Sequence, residues 1–205
     1  MILDETSDLR FIAKPPGLPV FPPHGDPSGD CVLRRYLATV GALPAFPAGF
    51  EGGIAHRLDN LTSGFLVVAK TPEALARVRA AWRQLRKLYR FRSAGQLDGP
   101  VTVEAPIAHH PRRADRVVVR HGGRQSHRGR WLPAWTRIVP LGGDWFEAEI
   151  RTGVMHQVRA HAAFAGVPLR GDGLYGGGEG IPTLVHVAIT GPGCSFRLPD
   201  PPGPR

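Results

Sequence analysis

The 205-residue sequence is poor in cysteine and in long apolar runs. Its two cysteines, Cys31 and Cys194, lie far apart, and it has neither a Cys-x-x-Cys pair nor a Cys/His cluster, which argues against structural zinc and favours a reducing compartment. No apolar run approaches the roughly 20 residues that a membrane-spanning helix needs. The first ten residues, MILDETSDLR, are acidic and polar, unlike a secretory signal. We therefore expect a cytoplasmic protein.

Negative charge is also scarce, since 17 Asp and Glu residues oppose 26 Lys and Arg residues, a formal charge of +9. Most of the cations are arginines, whose planar guanidinium groups match phosphate oxygens and stack on bases. This composition makes nucleic acid the first partner to consider. A GC-rich genome, which favours Arg, Ala, Gly and Pro whatever the function, accounts for the arginine content equally well.

The hydrophobic share of 42% is enough to build a core, and 26 glycines with 21 prolines predict many turns. Helical spacing occurs at 31–41, 71–86 and 155–166. Strand patterns occur at 9–14, 64–69, 116–120, 136–141, 145–151 and 183–189. Because strands outnumber helices without regular βα alternation, we predict an α+β fold with a mixed, mostly antiparallel sheet flanked by helices. We expect one monomeric domain over 1–205, with flexible ends at about 1–8 and 199–205.

The segment HRLDNLTSG, residues 56–64, crowds polar groups directly before the apolar run FLVVA. Asp59 lies on a turn that a buried strand would hold rigidly, so its carboxylate can point into a cleft. Arg57 can reach a phosphate, and Thr62 can donate a hydrogen bond. An Asx-turn that only shapes the loop is the common alternative for a single aspartate.

Two further segments carry polar groups beside predicted elements. In KLYR, residues 87–90, a tyrosine follows a basic helix, and alone it is best interpreted as an edge aromatic. The segment 151–177 turns at Gly153 into a helix with His156 and Arg159, which are three residues apart and would share one helix face. A satisfied core histidine is the usual explanation of such spacing.

Together these segments resemble a known family. HRLDNLTSG matches the pattern HRLDxxTSG of the RluA-type family of RNA pseudouridine synthases. FIAKPPGLPVFP, KLYR, TGVMHQVRAHAAFAGVPLRGDGLYG and LVHVAI are similar to its other motifs, in the same order. The resemblance implies the pseudouridine synthase fold with a central active-site cleft. It also implies isomerisation of selected uridines in rRNA or tRNA, with no cofactor and no metal.

The resemblance assigns catalytic roles to three residues. Asp59 falls on the essential aspartate, Tyr89 on the tyrosine that packs against the base, and Arg159 on the basic residue that pairs with the aspartate. Whether Asp59 attacks C1′ or deprotonates C2′ is left open. These residue types suit the chemistry, because the target base must leave the stack and be held by an aromatic ring. The expected RNA-contacting residues are His56, Arg57, Thr62, Lys87, His156 and Gln157, of which Arg57 would enter the stack when the uridine flips out.

Val154 and Met155 depart from the family pattern, where an arginine and a small polar residue stand. They motivate a different hypothesis, an RNA-binding protein on the same scaffold with weak or no catalysis. A hydrolase using His56 and Asp59 is a poorer interpretation, because no nucleophile motif or metal cluster accompanies them. The family-like segment begins by residue 9, so no S4-type domain is expected, and 109–130 is an RNA-recognition candidate. A solvated hairpin tip explains that segment equally well.

Overall fold

The computed structural model describes residues 1–203, and the chain divides into two compact units. Unit 1 contains residues 1–85 and 186–198, and unit 2 contains residues 86–185 and those from 199 onward. Residues 204 and 205, part of the predicted flexible end, lie outside the described residues.

Strands and helices follow one another along the chain without regular alternation. The strands are β1 (Ile2–Glu5), β2 (Leu9–Lys14), β3 (Ser63–Ala69), β4 (Arg86–Arg92), β5 (Val101–Val103), β6 (Ile107–His109), β7 (Val117–Val119), β8 (Arg128–Leu132), β9 (Thr136–Gly142), β10 (Trp145–Ile150), β11 (Leu184–Gly191) and β12 (Cys194–Arg197). The α-helices are α1 (Val32–Val40), α2 (Pro72–Ala81) and α3 (Gln157–Phe164). Many strands with few helices confirm the predicted α+β class.

In unit 1 the strand order is β1-β2-β3-β11, with β12 paired to β11. The run from Phe65 to Ala69 in β3 is fully buried, which confirms the predicted buried strand. Phe65 and Phe11 of β2 lie at the centre of an apolar cluster that α2 covers with Leu75 and Val78. This core supports β3, and β3 in turn supports the polar segment that precedes it.

The predicted helix over 71–86 is too long. Thr71 caps α2 as expected, its hydroxyl accepting a hydrogen bond from the Ala74 N–H at 3.2 Å, but the α-helix ends at Ala81 and one 3₁₀ turn follows. Leu85 is buried in the unit 1 core, and β4 begins at Arg86. An apolar residue at helical spacing was thus mistaken for one more helical turn.

Several strands were missed because they carry little apolar alternation. Strand β1 is exposed along its whole length, although its residues pair with β2, for instance Asp4 with Phe11. It occupies part of the end that we expected to be flexible. Strands β5, β6, β8 and β12 have only three to five residues each, too few for a periodic pattern.

In unit 2 the strand order is β4-β10-β9-β5, and the described registers are antiparallel. Phe146, Ala148 and Ile150 of β10 are buried, as the alternation of that segment predicted. A separate three-stranded antiparallel sheet has the order β7-β6-β8. It packs against α3 through a cluster that includes Ile107 and Ala160.

Candidate active site

The Asp59 turn is fastened to the segment that follows β2. The carbonyl oxygen of Asp59 accepts a hydrogen bond from the Thr62 N–H at 3.0 Å, which closes the turn. The Asn60 carbonyl oxygen accepts hydrogen bonds from the Gly17 N–H at 2.7 Å and from the Lys14 ammonium at 2.9 Å. The same ammonium donates to the Thr62 carbonyl oxygen at 2.7 Å. The backbone that presents Asp59 is therefore held at several points.

Lys14 is a residue whose role the sequence reasoning missed. It is 2% exposed, and its ammonium has three carbonyl partners, one for each N–H that it can donate. Burial lowers its pKa to about 8, while the negative charge of Asp59 acts in the opposite direction. The signal in the sequence was a lysine inside an apolar strand, directly before two prolines and a glycine.

His56 anchors the other end of the turn. Its Nε2 accepts a hydrogen bond from the Val67 N–H at 3.1 Å, so that nitrogen carries no proton. The imidazole also lies 4.8 Å from the Trp82 ring, measured between centroids. These contacts give His56 a structural role in unit 1. Its expected contact with RNA stays a prediction.

Gly64 ends the polar segment where only glycine fits. Its φ is +117°, and a Cβ atom there would lie 2.3 Å from the carbonyl oxygen of His186. That distance is a severe clash with backbone. The glycine therefore allows β3 to begin beside β11 immediately after Thr62, which is itself 3% exposed.

Arg57 is exposed and lies beside a cavity of about 430 Å³. The cavity wall is mostly apolar. The other lining residues are Phe21, Pro22, Leu33, Gly49 and Glu51. The side chain is thus placed at the surface, as a contact with RNA requires.

Tyr89 and Lys87 lie on β4 in unit 2. They are two residues apart on one side of the strand, and both are buried, at 8% and 3% exposure. Burial lowers the pKa of Lys87 to about 8, and its Nζ lies 3.4 Å from the Arg151 carbonyl oxygen. KLYR is therefore an inward-facing strand segment, and the two side chains share one environment.

Arg159 on α3 forms a buried ion pair with Asp172. Its Nε and Nη2 donate to the two carboxylate oxygens at 2.7 and 2.8 Å, and both residues are at most 6% exposed. Its guanidinium carbon also lies 5.1 Å from the Tyr175 ring centroid. Asp172 and Tyr175, from the GDGLYG segment, thus orient Arg159, a role that the predicted site did not include. The pairing of Arg159 with Asp59 stays a prediction.

His156 has an unusual backbone. With φ 54° and ψ 20°, it is the only non-glycine residue with positive φ within residues 1–203. It precedes α3, so the predicted shared helix face with Arg159 is wrong. The Tyr175 hydroxyl accepts the Val117 N–H at 3.0 Å and lies 3.1 Å from His156 Nδ1, to which it can donate its proton. Burial raises the pKa of Tyr175 to about 12, so the hydroxyl keeps that proton at neutral pH.

Gln157 is 2% exposed, and its amide is used within the chain. It donates to the Trp135 carbonyl oxygen at 2.9 Å and to Thr136 Oγ1 at 3.0 Å. Its own oxygen accepts from Thr152 Oγ1 at 2.8 Å and from the Val154 N–H at 3.2 Å. Gln157 therefore fixes the start of α3, and in this structure its amide is not presented to RNA.

Val154 and Met155, which depart from the family pattern, are half-buried. Both pack against the apolar cluster between α3 and the sheet β7-β6-β8, which contains Ile107 and Val119. Their apolar character therefore has a packing reason within unit 2.

Neither a metal cluster nor a membrane helix is found within residues 1–203. No group of three or more His, Cys, Asp and Glu side chains there could hold a metal ion. No helix in this part of the chain is both long and apolar enough to cross a bilayer.

Comparison with known proteins agrees with these motifs. A family model described as RNA pseudouridylate synthase matches residues 8–164. An uncharacterized RNA pseudouridine synthase of Synechocystis is 36% identical over 93% of this chain and 57% of its own length. Ribosomal large subunit pseudouridine synthase D of Nitrosomonas europaea is 35% identical over 92% of this chain and 53% of its own length. The protein of the same name from Escherichia coli K12 is 31% identical over 86% of this chain and 52% of its own length. The chain thus spans about half the length of these curated relatives.

Two solved structures share the fold. Human RNA pseudouridylate synthase domain containing 1 superposes with a TM-score of 0.77 at 21% identity, covering 97% of this chain and 82% of that one. Human RNA pseudouridylate synthase domain containing 4 superposes with a TM-score of 0.69 at 19% identity, covering 92% of this chain and 82% of that one. These matches confirm the predicted pseudouridine synthase fold.

Proposed function

The chain belongs to the RNA pseudouridylate synthase family, and we propose that it isomerises uridines in RNA to pseudouridine. The observation that carries the proposal is the turn HRLDNLTSG. Lys14, His56 and Gly64 hold its backbone, so that Asp59 is presented from a rigid frame. A frame of this kind suits a carboxylate that must meet one atom of a substrate.

The proposed reaction needs a carboxylate and a site for a detached base. The N1–C1′ bond of uridine breaks, the uracil rotates, and a C5–C1′ bond forms while C5 loses a proton and N1 gains one. Asp59 acts as nucleophile at C1′ or as base at C2′. Arg57 fills the gap left by the flipped uridine, and Tyr89 stacks on the uracil. No cofactor is required for this balance.

We assign Arg159 to the support of the Asp59 carboxylate. A guanidinium beside a carboxylate favours its ionised form, which is the reactive one. Asp172 holds that guanidinium in a fixed orientation through two hydrogen bonds. Gln157 and Thr62 are proposed to position the backbone, since both are almost completely buried.

We propose large-subunit ribosomal RNA as the substrate. The support is the name that several relatives share, ribosomal large subunit pseudouridine synthase D. Ribosomal RNA also suits a chain with a formal charge of +9. We further propose that the protein acts as a monomer in the cytoplasm.

The alternative of a binding protein without catalysis rested on Val154 and Met155. Both residues pack against the cluster around Ile107, so their apolar side chains are accounted for by packing within unit 2. Asp59, Tyr89 and Arg159 are all present, which favours catalysis.

Release of tritium from RNA labelled at C5 of uridine tests the proposal, because the C5 hydrogen is lost in the reaction. We expect the wild type to release tritium into water, and Asp59→Asn to release none while still binding RNA. Asp26→Asn, at an exposed loop aspartate bonded to Ser28, is the matched control and should retain activity. No release by the wild type from large-subunit rRNA transcripts would favour the binding protein. A chelating agent should leave the rate unchanged.

A further inference from the structure

The segment 109–130 concentrates the positive charge of the chain. It contains seven arginines and one aspartate, a net charge of +6 against +9 for the whole sequence. The segment contains the end of β6, all of β7, the start of β8 and the connecting loops. Ile107, Val117 and Val119 pack in one apolar cluster with Ala160 of α3. Six of the seven arginines are exposed, and Arg116 is half-buried beside the Tyr175 ring.

Five of these arginines have no carboxylate partner among the described residues. Within residues 1–203 no acidic side chain pairs with Arg112, Arg120, Arg124, Arg128 or Arg130, all of which are exposed. Arginines elsewhere on the surface are commonly paired, for example Arg77 with Asp8 at 2.6 Å and Arg92 with Asp144 at 2.6 Å. Adjacent like charges repel one another, so such a cluster favours binding of a polyanion.

Local contacts restrain part of this surface. The guanidinium carbon of Arg120 lies 5.9 Å from the Trp131 ring centroid. The centroid of the His127 ring lies 4.5 Å from the same Trp131 centroid. Gly129 has φ +75° at an irregularity in the pairing of β8 with β6, a backbone conformation that glycine adopts without strain. Arg128 and Arg130 flank this glycine. Arg120 and Arg124 lie in the loop between β7 and β8, where the Trp131 ring contacts Arg120. Cations restrained by a strand or by a ring contact lose less conformational entropy on binding than cations on a free tail.

We propose that the basic β7–β8 segment (Arg120, Arg124, Arg128 and Arg130) binds the ribose-phosphate backbone of RNA flanking the target uridine. The proposal rests on the proposed function for the identity of the polyanion. Guanidinium groups without acidic partners can each pair with phosphate oxygens. Because the Trp131 ring already contacts Arg120 and His127, recognition by charge is favoured over base stacking.

The test compares two variants that lose the same charge. The first is R120Q/R124Q/R128Q/R130Q, and the matched control replaces four exposed arginines of unit 1 by glutamine: Arg34, Arg35, Arg77 and Arg197. Binding of a fluorescein-labelled fragment of large-subunit rRNA is measured by anisotropy over a series of KCl concentrations. The slope of log K against log [KCl] is negative, and the first variant should reduce its magnitude by about three, at roughly 0.7–0.9 per lost phosphate contact. The control should reduce it by less than about one.

Activity separates this proposal from the proposed function. The first variant should bind at least roughly tenfold more weakly than the wild type, yet release tritium at the wild-type rate with saturating RNA. Equal slopes for the variant and the control would overturn the proposal. If the wild type releases no tritium, the proposed function fails, while the slopes still decide whether the basic β7–β8 segment binds RNA. Should the fourfold variant not fold, R120Q/R124Q and R128Q/R130Q should each lower the slope by about half as much.

Discussion

Lys14 carries much of the order around Asp59. Its ammonium has as many carbonyl partners as it has N–H donors, and two of those carbonyls belong to the Asp59 turn. A neutral amine donates only two hydrogen bonds, so one carbonyl would lose its partner on deprotonation. Sequence reasoning found the motif AKPPG by resemblance, but it could not show that the lysine turns inward.

The buried lysines make stability depend on pH. Lys14 and Lys87 have pKa values of about 8 in the folded chain, against 10.5 for an unperturbed lysine. Between these values the unfolded chain binds more protons, so the free energy of unfolding should rise with pH from about 8 upward. Each lysine contributes up to about 1.4 kcal/mol per pH unit.

Lys14→Met should therefore remove about half of the lysine-dependent slope between roughly pH 8 and 9. Urea unfolding of the wild type and the variant at several pH values gives the free energy of unfolding of each. The contributions of the other titrating groups cancel in the difference between the two proteins. Identical slopes would mean that Lys14 does not titrate in this range.

Gln157 offers a test of structural against RNA-contacting roles. Gln157→Ala leaves the Val154 N–H and the Thr136 hydroxyl with fewer partners, and should lower the free energy of unfolding by about 2–3 kcal/mol. RNA affinity of the folded fraction should stay at the wild-type value. The check is urea unfolding together with anisotropy at low temperature, and a selective loss of RNA affinity would instead support direct contact.

At the scale of elements, long and strongly patterned segments were predicted well. Strand β10 and helix α1 were found almost to the residue, because alternation or helical spacing was sustained and Gly41 marks the end of α1. The end of α2 was wrong because Leu85 continues the helical spacing after the helix has stopped. The exposed strand β1 was missed because burial, which produces the pattern, is absent there.

Helix α3 shows how an element and a loop form one functional unit. The family resemblance predicted that Arg159 matters, but only the folded chain shows Asp172 holding it from the glycine-rich loop. Asp172→Asn would leave a buried guanidinium with a neutral partner. We expect a loss of about 3–5 kcal/mol in the free energy of unfolding and a strong loss of tritium release.

The double variant Arg159→Met/Asp172→Leu distinguishes stability from catalysis. Replacing both charges by apolar side chains should restore much of the stability, because no unpaired charge remains buried. Activity should stay low, because the guanidinium is gone. Recovery of full activity in a stable double variant would exclude a catalytic role for Arg159.

At the scale of the whole molecule, composition predicted one domain, whereas the fold contains two compact units. The predicted single domain remains a proposal that unfolding can test. Trp82 is the tryptophan of unit 1, and Trp131, Trp135 and Trp145 belong to unit 2. Variants that keep only one of these two sets, with phenylalanine elsewhere, report on each unit by fluorescence.

We expect the two fluorescence transitions in urea to coincide in midpoint and slope, as a single cooperative domain requires. Calorimetric and van't Hoff enthalpies of thermal unfolding should likewise agree. Separate midpoints for the two reporters would show two independently folding domains instead.

Catalysis by Asp59 is tested most directly by a pseudouridine map of total RNA at single-nucleotide resolution, obtained by carbodiimide chemistry. Cells lacking the gene are compared with cells complemented by the wild type or by Asp59→Asn. We expect a site in large-subunit rRNA that is lost on deletion, restored by the wild type and not restored by Asp59→Asn. A map unchanged by deletion, or a site restored by Asp59→Asn, would contradict catalysis by Asp59.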